Sequence, residues 1–335
     1  MTDQAVLGAF NTRSLTGTYR PKIADYQFSK PRFGLNLQVS YIYGGLRSES
    51  GRFSIVERKF ISSMTGGLFI MSNDTGSMEL DPGTPRSARG EVRRTQTDDE
   101  LRWFDPIMQR IPDDIRVPEE QGLDLRVTDG HMSWSEGGLL TLEGDQPAAG
   151  VQFYSPMVDN NFYYISQPYW LSGTILGEKA EGPMFLDHIY WEPHGLEWKE
   201  TPFYTDRQVS WMVFANKLED GSVQAGHVVR CTGGLSFVAI SENDAPLQLS
   251  DRMDVSMTLD GDDYVTGATY DIDGTQWEYT EDADGHMEGH SKARWSGYRA
   301  QGGMFRRVGD SRRIVNGFCW VECFADRIRA EGLVK

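Results

Sequence analysis

The chain has 335 residues, 39% of them hydrophobic and 12% aromatic with 9 Trp, and a mean hydropathy of -0.48, values of a folded globular protein with a core of large rings and not of a disordered chain. A net charge of -16 and a pI near 4.8 argue against a nucleic-acid backbone or an anionic membrane surface as partner. The start, Met1-Thr2-Asp3-Gln4, has neither the basic end nor the apolar run of a secretory signal, and no 18-residue apolar stretch occurs, so a cytoplasmic location without membrane insertion is expected.

Short β-branched and aromatic runs alternate with Gly, Asp and Asn along most of the length, which predicts an all-β protein. In the first half, strands are expected at 35–43, 53–60, 67–71 and 138–142. Segment 97–108 reads as a short helix, with Trp103, Phe104 and Met108 on one face, or as an irregular excursion. The clustered arginines of 89–94 and 306–313 read as solvated faces, with an anion grip as the alternative. Pro156 and Pro168 bracket Asp159-Asn160-Asn161, and the pattern starts afresh after them. The division is therefore set at 165/166, giving two β domains, 1–165 and 166–335.

The second half opens on Phe185-Leu186-Asp187-His188-Ile189-Tyr190-Trp191-Glu192, an unusual concentration of acid, imidazole, phenol and indole. On a strand Asp187, Ile189 and Trp191 share one face and His188, Tyr190 and Glu192 the other. That face could be a solvated one or a site of proton transfer. A hairpin follows from Trp211 through Asp220-Gly221 to Arg230, Asp-Gly supplying the positive φ angles of a tight turn. In it His227 and Val229 face one way, either lining a barrel or meeting solvent. A second hairpin is expected at Asp273-Gly274, and a last strand at 314–324 puts Trp320 and Glu322 on one face. Cys231, Cys319 and Cys323 have no CxxC spacing and read as buried thiols. His286 and His290 lie in a glycine-rich turn ill suited to zinc. No nucleotide fingerprint, nucleophile elbow or HExxH motif occurs. No cofactor and no metal are expected.

The segment Gly182 to Trp191, followed by the Trp211 hairpin with its Asp220-Gly221, resembles the carotenoid 1,2-hydratase and AttH-like family. Glu192-Pro193-His194-Gly195 stand where that family has a glycine after the tryptophan. The resemblance implies two lipocalin-like antiparallel β-barrels in tandem, a hydrophobic small-molecule substrate, and either hydratase chemistry or the cyclase chemistry of Diels-Alderase-type relatives. Hydration needs an acid, a base and a dry pocket that tolerates positive charge. The candidate catalytic residues are Asp187, His188, Tyr190 and Glu322. The candidate substrate-binding residues are Trp191, Trp211, His227 and Trp320. A non-catalytic carrier is the third reading, and self-association into a homodimer stays open. Because Asp187 and His188 are adjacent, both reach one ligand only if a bulge breaks the alternation or the outer face is covered by the other domain, and Pro183, Pro193 and Gly195 suit such irregularity. The site is expected at the junction of the two halves, lined mainly by the opening strand of the second.

Overall fold

The computed structural model describes residues 15–26, 28–61, 64–74, 76–81, 88–89, 93–104, 109–110, 122–155, 161–192, 200–292 and 297–335. The protein is nearly all β, built from two curled antiparallel sheets that form half-barrels in tandem. The first sheet runs, neighbour to neighbour, Glu79–Leu80, Met64–Ser72, Phe53–Ile61, Asn36–Ser48, Glu178–Trp191, Phe162–Ile175, Leu140–Asp145, His131–Glu136, Asp124–Thr128, Glu100–Phe104 and Arg93–Gln96. Leu15–Tyr19 and Gly150–Ser155 pair off its centre. The second runs Ala245–Ser250, Ser236–Glu242, Val223–Cys231, Gln208–Leu218, Ile314–Phe324, Tyr298–Arg307, Thr275–His286, Val265–Ile272 and Asp254–Leu259.

Both expected hairpins and the 314–324 strand are present, with Gly221 at φ 85° and Gly274 at φ 83° in the two tight turns. The described part of segment 97–108, residues 97–104, is not helical. Glu100–Phe104 is a strand whose alternate residues Leu101 and Trp103 are buried, so the two-residue period prevails; Met108 lies outside the described residues. The change of sheet falls between Trp191 and Gln208, whereas residue 165 lies inside the Phe162–Ile175 strand. Pro168 sits within that strand opposite Phe185, and Pro156, Asp159 and Asn160 are outside the described residues. The Asp187 strand is thus a central strand of the first sheet, not the opening strand of the second.

Four apolar clusters account for the packing. One fills the first sheet's concave side, with Ile42, Trp103, Trp134, Leu186 and Tyr190, and one fills the second's, with Met212, Tyr270, Trp277 and Phe305. The other two lie between the sheets: Tyr43, Phe185, Val213, Phe318 and Trp320 in one, Phe153, Tyr164, Trp191, Trp211 and Phe237 in the other. Alternate residues of the central strands therefore serve two cores, which is why these strands read as continuous apolar runs. Cys319 and Cys323 belong to the second sheet's core and Cys231 to the inter-sheet layer; all three are free and buried. Among the described residues no helix is long and apolar enough to cross a membrane.

Candidate functional site

The Glu178–Trp191 strand keeps strict alternation from Met184 to Trp191. Met184, Leu186 and Tyr190 enter the first sheet's core, while Phe185, Ile189 and Trp191 enter the inter-sheet layer. A register shift opposite Ile189 and Tyr190 does not disturb this order. Asp187 accordingly faces the second sheet at 3% exposure, and His188, fully buried, faces the opposite way. The covered outer face, not a bulge, buries the aspartate. Pro193 and Gly195 lie outside the described residues.

Asp187 sits between Ser166 on one neighbouring strand and Tyr41 on the other. Tyr164 and Tyr43, two residues along those strands, share its face. The Tyr164 hydroxyl donates to Asp187 Oδ2. It also lies 3.2 Å from His227 Nε2, which comes from the second sheet. Asp187 Oδ1 and His227 Nδ1 are buried with no hydrogen-bond partner among the described residues. The three side chains form a line of hydrogen bonds across the inter-sheet layer, with a bare polar atom at each end. Phe153, Phe185 and Trp211 wall it, their ring centroids 5.8, 6.1 and 5.8 Å from the His227 ring.

Burial pushes the Asp187 carboxyl up to about 7, with Glu57 adding to the rise and the hydroxyls of Ser166, Tyr164 and Tyr43 pulling the other way. The Ser166 hydroxyl acts there without meeting the geometry of a hydrogen bond. Burial lowers the His227 imidazole to about 3, so it is neutral at physiological pH. It raises the Tyr164 and Tyr43 phenols, and the neighbouring Asp187 raises both further. Near neutrality one proton can therefore sit on either side of Asp187. With the carboxylate ionised, Tyr164 gives its only proton to Asp187, and His227 must be the Nε2–H tautomer donating to the phenol oxygen. With Oδ2 protonated every bond in the line can reverse, moving the imidazole proton to Nδ1. The arrangement has the connectivity through which a proton can pass between Asp187 and His227.

Of the other expected site residues, His188 and Tyr190 are elsewhere, in the first sheet's core. His188 Nδ1 lies 2.8 Å from Ser40 Oγ, its ring is packed by Tyr26 and stacked with Trp103, and burial lowers its pKa to about 3. Tyr190 lies beside Tyr163. Trp211 meets Tyr164 edge to face at 4.9 Å. Trp191 is on Asp187's face but four residues, roughly 13 Å, further along the strand. Trp320 and Glu322 share one face of their strand: Trp320 packs against Tyr43 at 5.5 Å, and Glu322 accepts a 2.6 Å hydrogen bond from Tyr298. His290 is buried near Trp320, whereas His286 meets Glu281 at 2.9 Å and stacks on Tyr264. Among the described residues no group of His, Cys, Asp or Glu is arranged to hold a metal ion. The 306–313 arginines include Arg312, tied to Asp310, Glu242 and Asp220; Arg93 and Arg94 flank a stretch of which 90–92 lie outside the described residues.

Sequence reasoning passed over Tyr164, Tyr43 and Ser166. Their signal was two-residue periodicity in the neighbouring strands, Val39-Ser40-Tyr41-Ile42-Tyr43 and Phe162-Tyr163-Tyr164-Ile165-Ser166, and it becomes visible only once the register with Asp187 is known.

No protein-family model and no curated protein matches the chain. Among solved structures it is similar to a protein assigned as AttH from Nitrosomonas europaea (14% identity, 89% of this chain and 97% of that one, TM-score 0.47). It is also similar to kievitone hydratase from Nectria haematococca (11%, 93% and 96%, TM-score 0.44) and to CghA with Sch210972 (9%, 95% and 96%, TM-score 0.45).

Proposed function

We propose that the protein is a cofactor-independent hydro-lyase that adds water to, or removes it from, a hydrophobic isoprenoid, polyketide or aromatic molecule held between the two sheets. The observation that carries this reading is the buried Asp187 carboxyl joined through Tyr164 to His227, where burial pushes the carboxyl up to about 7 and the imidazole down to about 3. In hydration, Asp187 Oδ1 gives its proton to one alkene carbon; the π pair forms the C–H bond and leaves positive charge on the neighbouring carbon. Water attacks that carbon and releases a proton to His227 Nδ1. The Nε2 proton passes to Tyr164, and the Tyr164 proton returns to Asp187. Water has then been added across the double bond, with Asp187 protonated on Oδ2 and His227 on Nδ1; carboxyl rotation and proton exchange with water on product release restore Oδ1–H and Nε2–H for the next turnover, and dehydration is the same sequence reversed. The two buried atoms without partners are thus the two substrate-facing ends of the relay, and the apolar walls exclude competing water.

The aromatic walls also suit a cyclase that folds a polyene into a reactive conformation, in which orientation supplies the acceleration. The two readings separate by substitution. A panel of isoprenoid, polyketide and phenolic alkenes is incubated with the protein in ¹⁸O-water and the products are read by mass spectrometry. The hydro-lyase reading expects an ¹⁸O-hydroxyl product and a roughly 100-fold or greater loss of rate in Asp187→Asn. An isomer without ¹⁸O, formed as fast by Asp187→Asn but lost in Trp211→Ala, makes it a cyclase. A ligand retained with no product makes it a carrier.

A further inference from the structure

The inter-sheet layer holds acidic groups that the relay leaves unused. Glu57 shares Asp187's sheet and raises its carboxyl, and Glu322 comes from the opposite sheet on the Ile314–Phe324 strand. Glu322 pairs directly with Trp211, which packs on Tyr164, so it occupies the row beside the relay. Its Oε1 accepts the Tyr298 hydroxyl at 2.6 Å, and Tyr298 is fully buried, which fixes the carboxyl's position. Tyr43, two residues along its strand from the Tyr41 that pairs with Asp187, has its phenol raised first by burial and then by Asp187, with Glu322 adding to the rise. That ring meets Trp320 edge to face at 5.5 Å, and Phe185 lies 5.7 Å from it. The same face of the first sheet already seats one cation on an aromatic ring, the Lys59 ammonium 5.4 Å from the centre of Tyr41. Carboxyls carried by the two facing sheets, aromatic rings between them, and the buried Asp187 Oδ1 without a hydrogen-bond partner among the described residues give this part of the inter-sheet layer a lining complementary to positive charge on an apolar body.

We propose that this lining receives a molecule that carries, or develops, positive charge beside an apolar chain, and that Glu322, clamped by Tyr298, is the group of the second sheet that faces that charge. The inference rests on Asp187 marking the site, and it adds the opposing wall and the ligand class. A stable cation on an alkyl chain stands in for the charged state, with the neutral alcohol of equal chain length as control.

Calorimetric titration at pH 7 compares N,N-dimethyldecylamine, protonated at that pH, with 1-decanol, both kept below the concentrations at which they aggregate. The amine should bind roughly tenfold or more tightly than the alcohol, and Glu322→Gln should remove most of that preference while leaving 1-decanol affinity unchanged. Tyr298→Phe, which keeps the carboxyl but frees it, should weaken the amine several-fold and spare the alcohol. Equal affinities of wild type for amine and alcohol overturn the inference. So does an unchanged amine preference in Glu322→Gln, and if Asp187→Asn weakens the amine in that same experiment, the Asp187 reading stands while the Glu322 assignment falls. Parallel loss of amine and alcohol binding in both variants shows a structural role only, and also overturns it.

Discussion

At the scale of single residues, the buried titratable groups pull stability in opposite directions with pH. Asp187 has its folded pKa raised to about 7 from an ordinary 3.8, so the folded state holds a proton that the unfolded state releases. The resulting penalty appears as pH rises above the unfolded value and is complete, at roughly 4 kcal/mol, above pH 7. His188 and His227 are lowered to about 3, so their stabilising effect is fully present above pH 6.5 and is lost as pH falls below it. Between pH 8 and pH 5 the two imidazoles cost about 2 kcal/mol each, while protonating Asp187 returns about 2–3 kcal/mol, leaving the wild type with a weak dependence. Asp187→Asn removes that penalty of roughly 4 kcal/mol but leaves a buried amide imperfectly hydrogen-bonded, at a cost of about 2 kcal/mol, so it should be more stable than wild type at pH 8 by about 2 kcal/mol and should lose about 4 kcal/mol on going to pH 5. Urea unfolding at the two pH values checks this; parallel losses in variant and wild type would contradict it. A carboxyl that destabilises the fold at neutral pH is the kind of cost that the proposed role of Asp187 would impose.

At the scale of elements, the alternation along the Asp187 strand was legible because a two-residue period is local. It put Asp187, Ile189 and Trp191 on one face and His188 and Tyr190 on the other, as the strand does. What covers each face was not legible, since that depends on strands from residues 36 to 61 and 208 to 231 that meet it only in the folded protein. The adjacent Asp187 and His188 accordingly read as partners in sequence, while the partner in space is His227, forty residues on. The 97–108 segment failed differently: Trp103, Phe104 and Met108 fit a helical face, yet Leu101 and Trp103 fit a strand equally well, and pairing with Asp124–Thr128 decides between them. The sheets pack tightly at Gly45, where a Cβ would lie 2.4 Å from the Phe318 ring. Gly45→Val should force that ring and its sheet outward, costing about 1–3 kcal/mol and weakening every contact across the relay. Gly51→Ala, in an open turn with φ 89°, tests backbone strain alone; equal thermal shifts in the two variants would show that Gly45 does not set the sheet spacing.

At the scale of the whole molecule, the two half-barrels share two of the four apolar clusters, and the Arg47–Asp282 ion pair ties them at the surface. Neither half buries its inter-sheet face without the other, so the chain should unfold in one step. Near-ultraviolet circular dichroism and tryptophan fluorescence should give coincident urea transitions, whereas two resolved transitions would mean that the halves are independently stable. A fragment ending at residue 191 should expose Phe185, Ile189 and Trp191 and fail to give a soluble monomer, read by gel filtration. This mutual dependence is also what makes the site: Asp187 and His227 belong to different sheets, and the relay exists only when both are docked.

The measurement that bears most directly on this account is an infrared titration of the protonated-carboxyl carbonyl stretch, taken as the difference between wild type and Asp187→Asn. A carboxyl buried between the sheets and shared with Tyr164 should give a band that disappears with a midpoint near pH 7 and is missing from the variant. A midpoint near 4, the ordinary range of an exposed aspartate, would contradict the central claim that Asp187 is a sequestered acid able to deliver a proton at neutral pH.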